Sequence, residues 1–199
     1  MKHGVVVAVG ILAALLVLAG SARSIFTDIA HSENNEISSG KFDIAISKDN
    51  SRFYNDLKLF EFSNLKPGDS REVVLYVKNR GDVPVSKLTM TLHVNDYEDG
   101  PLSPSEAAVD STPDRGELSG NLIITSITVE AGGKTTSVEN ITGKSLAELN
   151  GNLITLALDE KIAPGNTAKI TLKIAFSENA GNECQTDRTS VDIELTAEQ

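Results

Sequence analysis

Ile162-Ala163-Pro164-Gly165-Asn166-Thr167-Ala168-Lys169-Ile170-Thr171-Leu172-Lys173-Ile174-Ala175-Phe176 decides the fold class. Pro164 presets φ for the first central position of a turn and Gly165 accepts the positive φ of the second, so the pair reads as a type II turn that launches a strand. Beyond it Ala168, Ile170, Leu172, Ile174 and Phe176 alternate with Lys169, Thr171, Lys173 and Ala175. That period of two puts one face in a core and the other in water.

The same device stands upstream in Leu65-Lys66-Pro67-Gly68-Asp69, ahead of Val73 to Val77. Further alternating or β-branched runs lie at 42–46, 57–62, 88–94, 122–129, 153–158 and 191–195, punctuated by Gly, Pro, Asn and Asp. About eight strands without a long helical period predict an all-β fold, a jelly-roll-type antiparallel sandwich. The helical signal is confined to 145–149, where Ser145 caps and Glu148 follows three residues on. From Asp96 to Gly120 periodicity stops, and Pro, Ser, Asp and Glu predict a surface insertion at about 96–120 in a jelly-roll domain spanning 40–199.

At the other end, Met1-Lys2-His3 precedes an unbroken apolar run from Gly4 to Gly20 closed by Ser21, Ala22 and Ser24, the pattern of a secretory signal. Residues 1–24 are expected to be a signal peptide cut after Ser24, or after Ala22. The product is predicted to be secreted, ending at the cell surface or in the extracellular space. The chain carries 18 basic and 28 acidic residues, a net charge of −10, and loses Lys2 and Arg23 with the leader. Such an acidic chain repels nucleic acid and anionic lipid, so neither is an expected partner. Cys184 is the single cysteine, so no internal disulfide is available.

Catalytic patterns are missing from the sequence: it has no His-Glu-x-x-His, no Gly-x-Ser-x-Gly and no paired cysteines. Gly133-Lys134-Thr135 and Gly143-Lys144-Ser145 end like phosphate loops, but Thr128 and Val138 stand where the leading glycine is required, so both read as turns. No enzymatic activity and no obligatory cofactor are expected. Asn95, Asp96, Glu98 and Asp99 offer a calcium loop, a lateral contact or simply a solvated loop; their spacing does not fit an EF-hand. Asn140-Ile141-Thr142 is a glycosylation sequon.

Between leader and first long strand lies the arm 25–39. Ile25, Thr27 and Ile29 alternate with Phe26, Asp28 and Ala30 before the chain turns polar, which describes a short strand on a tether. Such an arm either pairs with its own sheet or donates its strand to an unpaired edge of another subunit. Twelve extended residues reach roughly 40 Å, comparable with the diameter of a domain of this size.

Several segments, taken in order, carry a resemblance. Ile25-Phe26-Thr27-Asp28, the polar Ser32-Glu33-Asn34-Asn35 and Gly40-Lys41-Phe42-Asp43-Ile44 follow the leader. Phe62-Ser63-Asn64-Leu65-Lys66-Pro67-Gly68-Asp69 and Val77-Lys78-Asn79-Arg80-Gly81-Asp82-Val83-Pro84 occupy the middle, and Asn182-Glu183-Cys184-Gln185 precedes the last strand. Together they resemble the TasA/camelysin family of exported biofilm-matrix proteins, which includes archaeal bundling pilins. The resemblance implies a jelly-roll subunit that polymerises head-to-tail by donor-strand complementation, with Ile25, Phe26, Thr27, Asp28, Ile29 and Ala30 as the donor strand. Its partners would be further copies of itself, neighbouring filaments in bundles, and the signal peptidase that frees the arm. Camelysin-like members labelled metallopeptidases supply one alternative, and a monomeric cell-surface binding module supplies another.

Overall fold

The alternation after Pro164-Gly165 is met in full: from Ala168 to Phe176 every second residue of the strand is buried and its neighbours reach the surface. The computed structural model describes residues 27–29 (backbone), 43–55, 60–98, 100–112 and 114–198. The strands are β1 Thr27–Ile29, β2 Ile44–Ser47, β3 Phe60–Phe62, β4 Ser70–Asn79, β5 Lys87–Glu98, β6 Leu122–Ala131, β7 Lys134–Ser137, β8 Leu153–Leu156, β9 Thr167–Phe176 and β10 Asp187–Glu198. Two four-residue helices, α1 Leu118–Asn121 and α2 Leu146–Leu149, join them. Among the described residues no helix is long and apolar enough to cross a membrane.

Every strand pairing is antiparallel, and the strands form two five-stranded sheets. One runs β2-β4-β9-β6-β7; the other runs β1-β10-β5-β8, with β3 also on β10. Their inner faces close on one core. Leu75, Val77, Ile124, Ile127, Val129, Ile170 and Leu172 come from the first sheet, and Leu88, Met90, Leu92, Ile154, Leu156 and Leu195 from the second. This is the expected all-β sandwich.

Both Pro-Gly turns form as read. Asp69 N–H donates to Lys66 C=O at 2.9 Å with Gly68 at φ 89°, and Asn166 N–H donates to Ala163 C=O at 3.0 Å with Gly165 at φ 79°. Ser145 caps α2 in a full capping box with Glu148. Three features go beyond the sequence reading. Helix α1 is a second helical turn where none was expected, β7 hairpins onto β6 through Gly132-Gly133, and β5 continues to Glu98, taking in the start of the expected insertion.

β6 also carries a bulge between Ile124 and Ser126. Leu122 and Ile124 are buried before it, and Ile127, Val129 and Ala131 after it. The apolar residues shift phase by one, and the extra residue Thr125 turns both halves toward the same core.

Candidate functional site

β10 connects two places of interest. Its whole length pairs with β5, from Lys87 opposite Glu198 to Glu98 opposite Asp187. The other edge of β10 therefore receives both short strands: β3 at Thr189 to Val191 and β1 at Thr196 to Glu198. Among the described residues, Asp192 to Leu195 have no strand partner on that edge.

The expected donor strand lies partly within view. Thr27, Asp28 and Ile29 pair with Glu198, Ala197 and Thr196 of the same chain. Ile25, Phe26 and Ala30, like the leader, the rest of the arm to Ser39 and residues 40–42, lie outside the described residues.

At the opposite end of β10 the register sets two acids against each other, Glu98 on β5 and Asp187 on β10. Like charges directly across a ladder repel. A turn over Ser103 to Asp110 adds Glu106, which is fully buried, and the approach to α1 adds Glu117. Carboxylate oxygens of Glu98, Glu106 and Asp187 lie within 4.8 Å of one another. At that spacing two full charges repel by on the order of 3 kcal/mol for an effective dielectric of about 20.

Donors cover only part of this cluster. Glu106 accepts from Ser103 N–H at 3.1 Å and from Thr186 N–H at 3.4 Å. The Thr186 hydroxyl lies 2.9 Å from Glu106 Oε2 and 2.8 Å from Glu98 Oε1, and its one proton serves one of them at a time. Asp187 Oδ2 accepts Glu117 N–H at 2.5 Å. Thr112 donates to Glu117 and to Asp110. Without a donor among the described residues are the buried oxygens Glu98 Oε2, Asp110 Oδ2, Glu117 Oε2 and Asp187 Oδ1. Burial, followed by the charges of Glu98, Glu117 and Glu106, pushes the Asp187 carboxyl up to about 6 against the opposing Glu117 N–H bond. Burial also raises Glu117, with Asp110 and Glu98 adding to the effect.

The four residues flagged in sequence separate. Asn95 is exposed on β5, and Asp99 lies outside the described residues. Asp96 is taken up structurally: it accepts Ser119 N–H at 3.1 Å, the Ser119 hydroxyl at 2.5 Å and the Thr189 hydroxyl at 2.5 Å, tying α1 to the sheet. Glu98 alone joins the cluster, with Glu106, Glu117 and Asp187 not flagged in sequence. Their convergence follows from the β5–β10 register and from the folding back of residues 103–112 and 114–117, neither of which leaves a local motif.

Three further residues named in the sequence have plain positions in the fold. Asn140 is exposed on a 3-10 turn, Glu139–Ile141, as a glycosylation acceptor must be. The side chain of His93 faces Glu194 at 3.2 Å on the outer face of β5. Cys184 is buried beside Asn121, whose Nδ2 lies 3.1 Å from the sulfur. A shallow pocket of about 230 Å³ between Leu65, Leu118, Cys184 and Asp187 adjoins the acidic cluster.

Fold and site together define an acidic antiparallel β-sandwich protein with a short strand laid on the edge of its last strand. Compared with known families, the chain matches the one described as camelysin metallo-endopeptidase over residues 1–199, and it belongs to that family, the TasA/camelysin family of cell-surface and extracellular-matrix proteins. No curated protein matches it. The family's description implies a metal. Among the described residues the one group of three metal-competent side chains is Glu98, Glu106 and Asp187. An all-carboxylate set suits hard cations; the histidine and thiolate ligands that zinc favours are absent from it.

Proposed function

We propose that this chain is a structural subunit of an extracellular filament, a bundling pilus or biofilm-matrix fibre, that grows head-to-tail by donor-strand complementation. The observation that carries the reading is the position of β1. It holds three register positions at the end of β10, and β3 holds three more, so four residues between them lack a strand partner among those described. An identical strand from another subunit makes the same ladder bonds in that slot, so exchange between self-pairing and donation conserves every pair of β1. In the same register a donor continued to Ala30 would add a pair with Leu195, the first residue of the vacant stretch. Because such a contact is heterologous, it propagates and forms a filament rather than closing a dimer.

Removal of the leader by signal peptidase would release the arm, making export and assembly one sequence of events. The acidic surface leaves other copies and neighbouring filaments as partners in preference to nucleic acid. Negative-stain microscopy of the purified mature protein tests the reading: fibres are expected, and their loss on deleting residues 25–30. Monomers under every condition, including acid and high salt, would sink it.

The family's description favours a second reading, a cell-surface metallopeptidase. Chelator-sensitive cleavage of an unfolded protein substrate would establish that activity, and it can be assayed on the same preparation.

A further inference from the structure

The cluster at the start of β10 is anomalous as a purely structural feature. Three carboxylates from β5, from the turn after it and from β10 converge where only a shared hydroxyl and a few backbone N–H groups receive them. Asp187 is 5 % exposed and Glu106 is 0 % exposed, yet Asp187 Oδ1 and Glu98 Oε2 have no donor among the described residues. Buried acceptors are almost always satisfied, so orphaned oxygens on two members of one carboxylate cluster indicate a missing positive partner. Arg115 acts on Glu117 from the rim, and Arg188 packs over the Tyr97 ring with its centroid 4.3 Å away and faces Glu61 at 3.6 Å.

We propose that Glu98, Glu106 and Asp187 bind one calcium ion that clamps the turn from Ser103 to Asp110 onto the paired ends of β5 and β10. The donor set selects the ion. Calcium binds oxygen at about 2.3–2.6 Å, so ligands across its shell stand about 4.6–5.2 Å apart, and oxygens within 4.8 Å of one another can share it. Magnesium keeps several of its waters and is held by one or two carboxylates, whereas three converge here. A wholly carboxylate donor set likewise favours calcium over zinc or copper. The clamp holds whichever way the arm pairs, since β1 sits at the far end of β10.

The competing resolution is that protons alone relieve the repulsion, shared among Glu98, Glu106, Asp110, Glu117 and Asp187. Calorimetric titration of chelator-stripped mature protein with calcium chloride, and separately with magnesium chloride, distinguishes the two, with thermal unfolding followed in parallel. One equivalent of calcium is expected to bind with Kd at or below about 1 mM. At calcium near 100 times Kd the Tm is expected to rise by roughly 5–10 °C, with a much smaller response to magnesium.

Glu98→Gln and Asp187→Asn are each expected to weaken calcium binding at least about tenfold, whereas Glu139→Gln, on a remote exposed turn, leaves it unchanged. Circular dichroism checks that each variant folds. If both site variants unfold, the wild-type titration still decides. Absence of stoichiometric binding and of any Tm shift up to about 10 mM calcium overturns the proposal. So does undiminished binding by a folded Asp187→Asn protein.

Discussion

Gly116 packs so closely on Tyr97 that a Cβ at Gly116 would stand 2.7 Å from the Tyr97 carbonyl oxygen, and 3.0 Å from Asp187 Cγ. Backbone cannot give way as the end of a flexible side chain can. Gly116→Ala is therefore expected to lift the segment before α1 off β5 and to cost about 1–3 kcal/mol, the usual penalty for overpacking. Urea unfolding measures it. An unchanged midpoint would mean that this segment is not held against the sheet. Because Glu117 follows directly and donates its N–H to Asp187, the same variant is expected to weaken calcium binding where one exists.

Ser145→Ala removes the hydroxyl that accepts Glu148 N–H at 3.2 Å at the start of α2. Loss of an N-cap costs about 1 kcal/mol, equivalent to a Tm lower by roughly 2–4 °C in a chain of this size. The reciprocal bond, Ser145 N–H to Glu148 Oε2 at 2.8 Å, holds the Glu148 carboxyl below its ordinary value of 4.5, and the Ser145 side chain adds to the effect. A depressed carboxyl pKa stabilises the fold above the unfolded value, and that contribution disappears as pH falls through the folded one. The stability gap between wild type and Glu148→Gln is thus expected at pH 7 and expected to close well below pH 4.5. A gap that persists unchanged into acid would contradict the capping role of the charge.

Cys184 is predicted to be inert in the native state. Burial, then the charge of Glu183, pushes its thiol up to about 12, with Asn121 providing only partial opposition. The thiolate is the nucleophile, so at pH 8 the native protein should react with iodoacetamide far more slowly than the same protein in denaturant, by at least about a hundredfold. Rapid native labelling would show that the 182–184 turn opens readily.

How far the sequence reveals this molecule depends on whether the signal is local. Pro67-Gly68, Pro164-Gly165, the β9 alternation and Ser145 with Glu148 are all written within a few consecutive residues, and each forms as read. The bulge at Thr125 is harder to see, since a one-residue phase slip within Leu122 to Ala131 looks like imperfect alternation until the partner strand fixes the register. Helix α1 is four residues long, too short to display a period. The acidic cluster is the clearest case of non-local information. Asn95, Asp96, Glu98 and Asp99 attract attention because they are contiguous. The ladder sends Asp96 to Ser119 and Thr189, and brings Glu98 to Asp187, 89 positions along the chain, and to Glu106 in a stretch whose Pro and Ser content suggests a wet loop.

The pairing of Ile29 with Thr196 offers a direct test of what the arm does. Residues opposite each other in an antiparallel ladder have Cα atoms about 4.5–5.5 Å apart, within the range a disulfide spans. In a Cys184→Ala background, Ile29→Cys with Thr196→Cys is therefore expected to oxidise readily, and the product reports whose β10 the arm occupies. Donation between subunits links each chain to the next, and non-reducing electrophoresis of assembled protein then shows a ladder of covalent multimers that collapses to monomer with reductant. Self-pairing closes a loop within one chain and yields only a monomer of altered mobility. The same pair of residues meets in both cases when the donated strand keeps the register of β1, and the product then responds only to connectivity. A ladder is the expected outcome in fibres; exclusive intrachain closure in fibres would show that β1 stays on its own sheet and that assembly uses another surface.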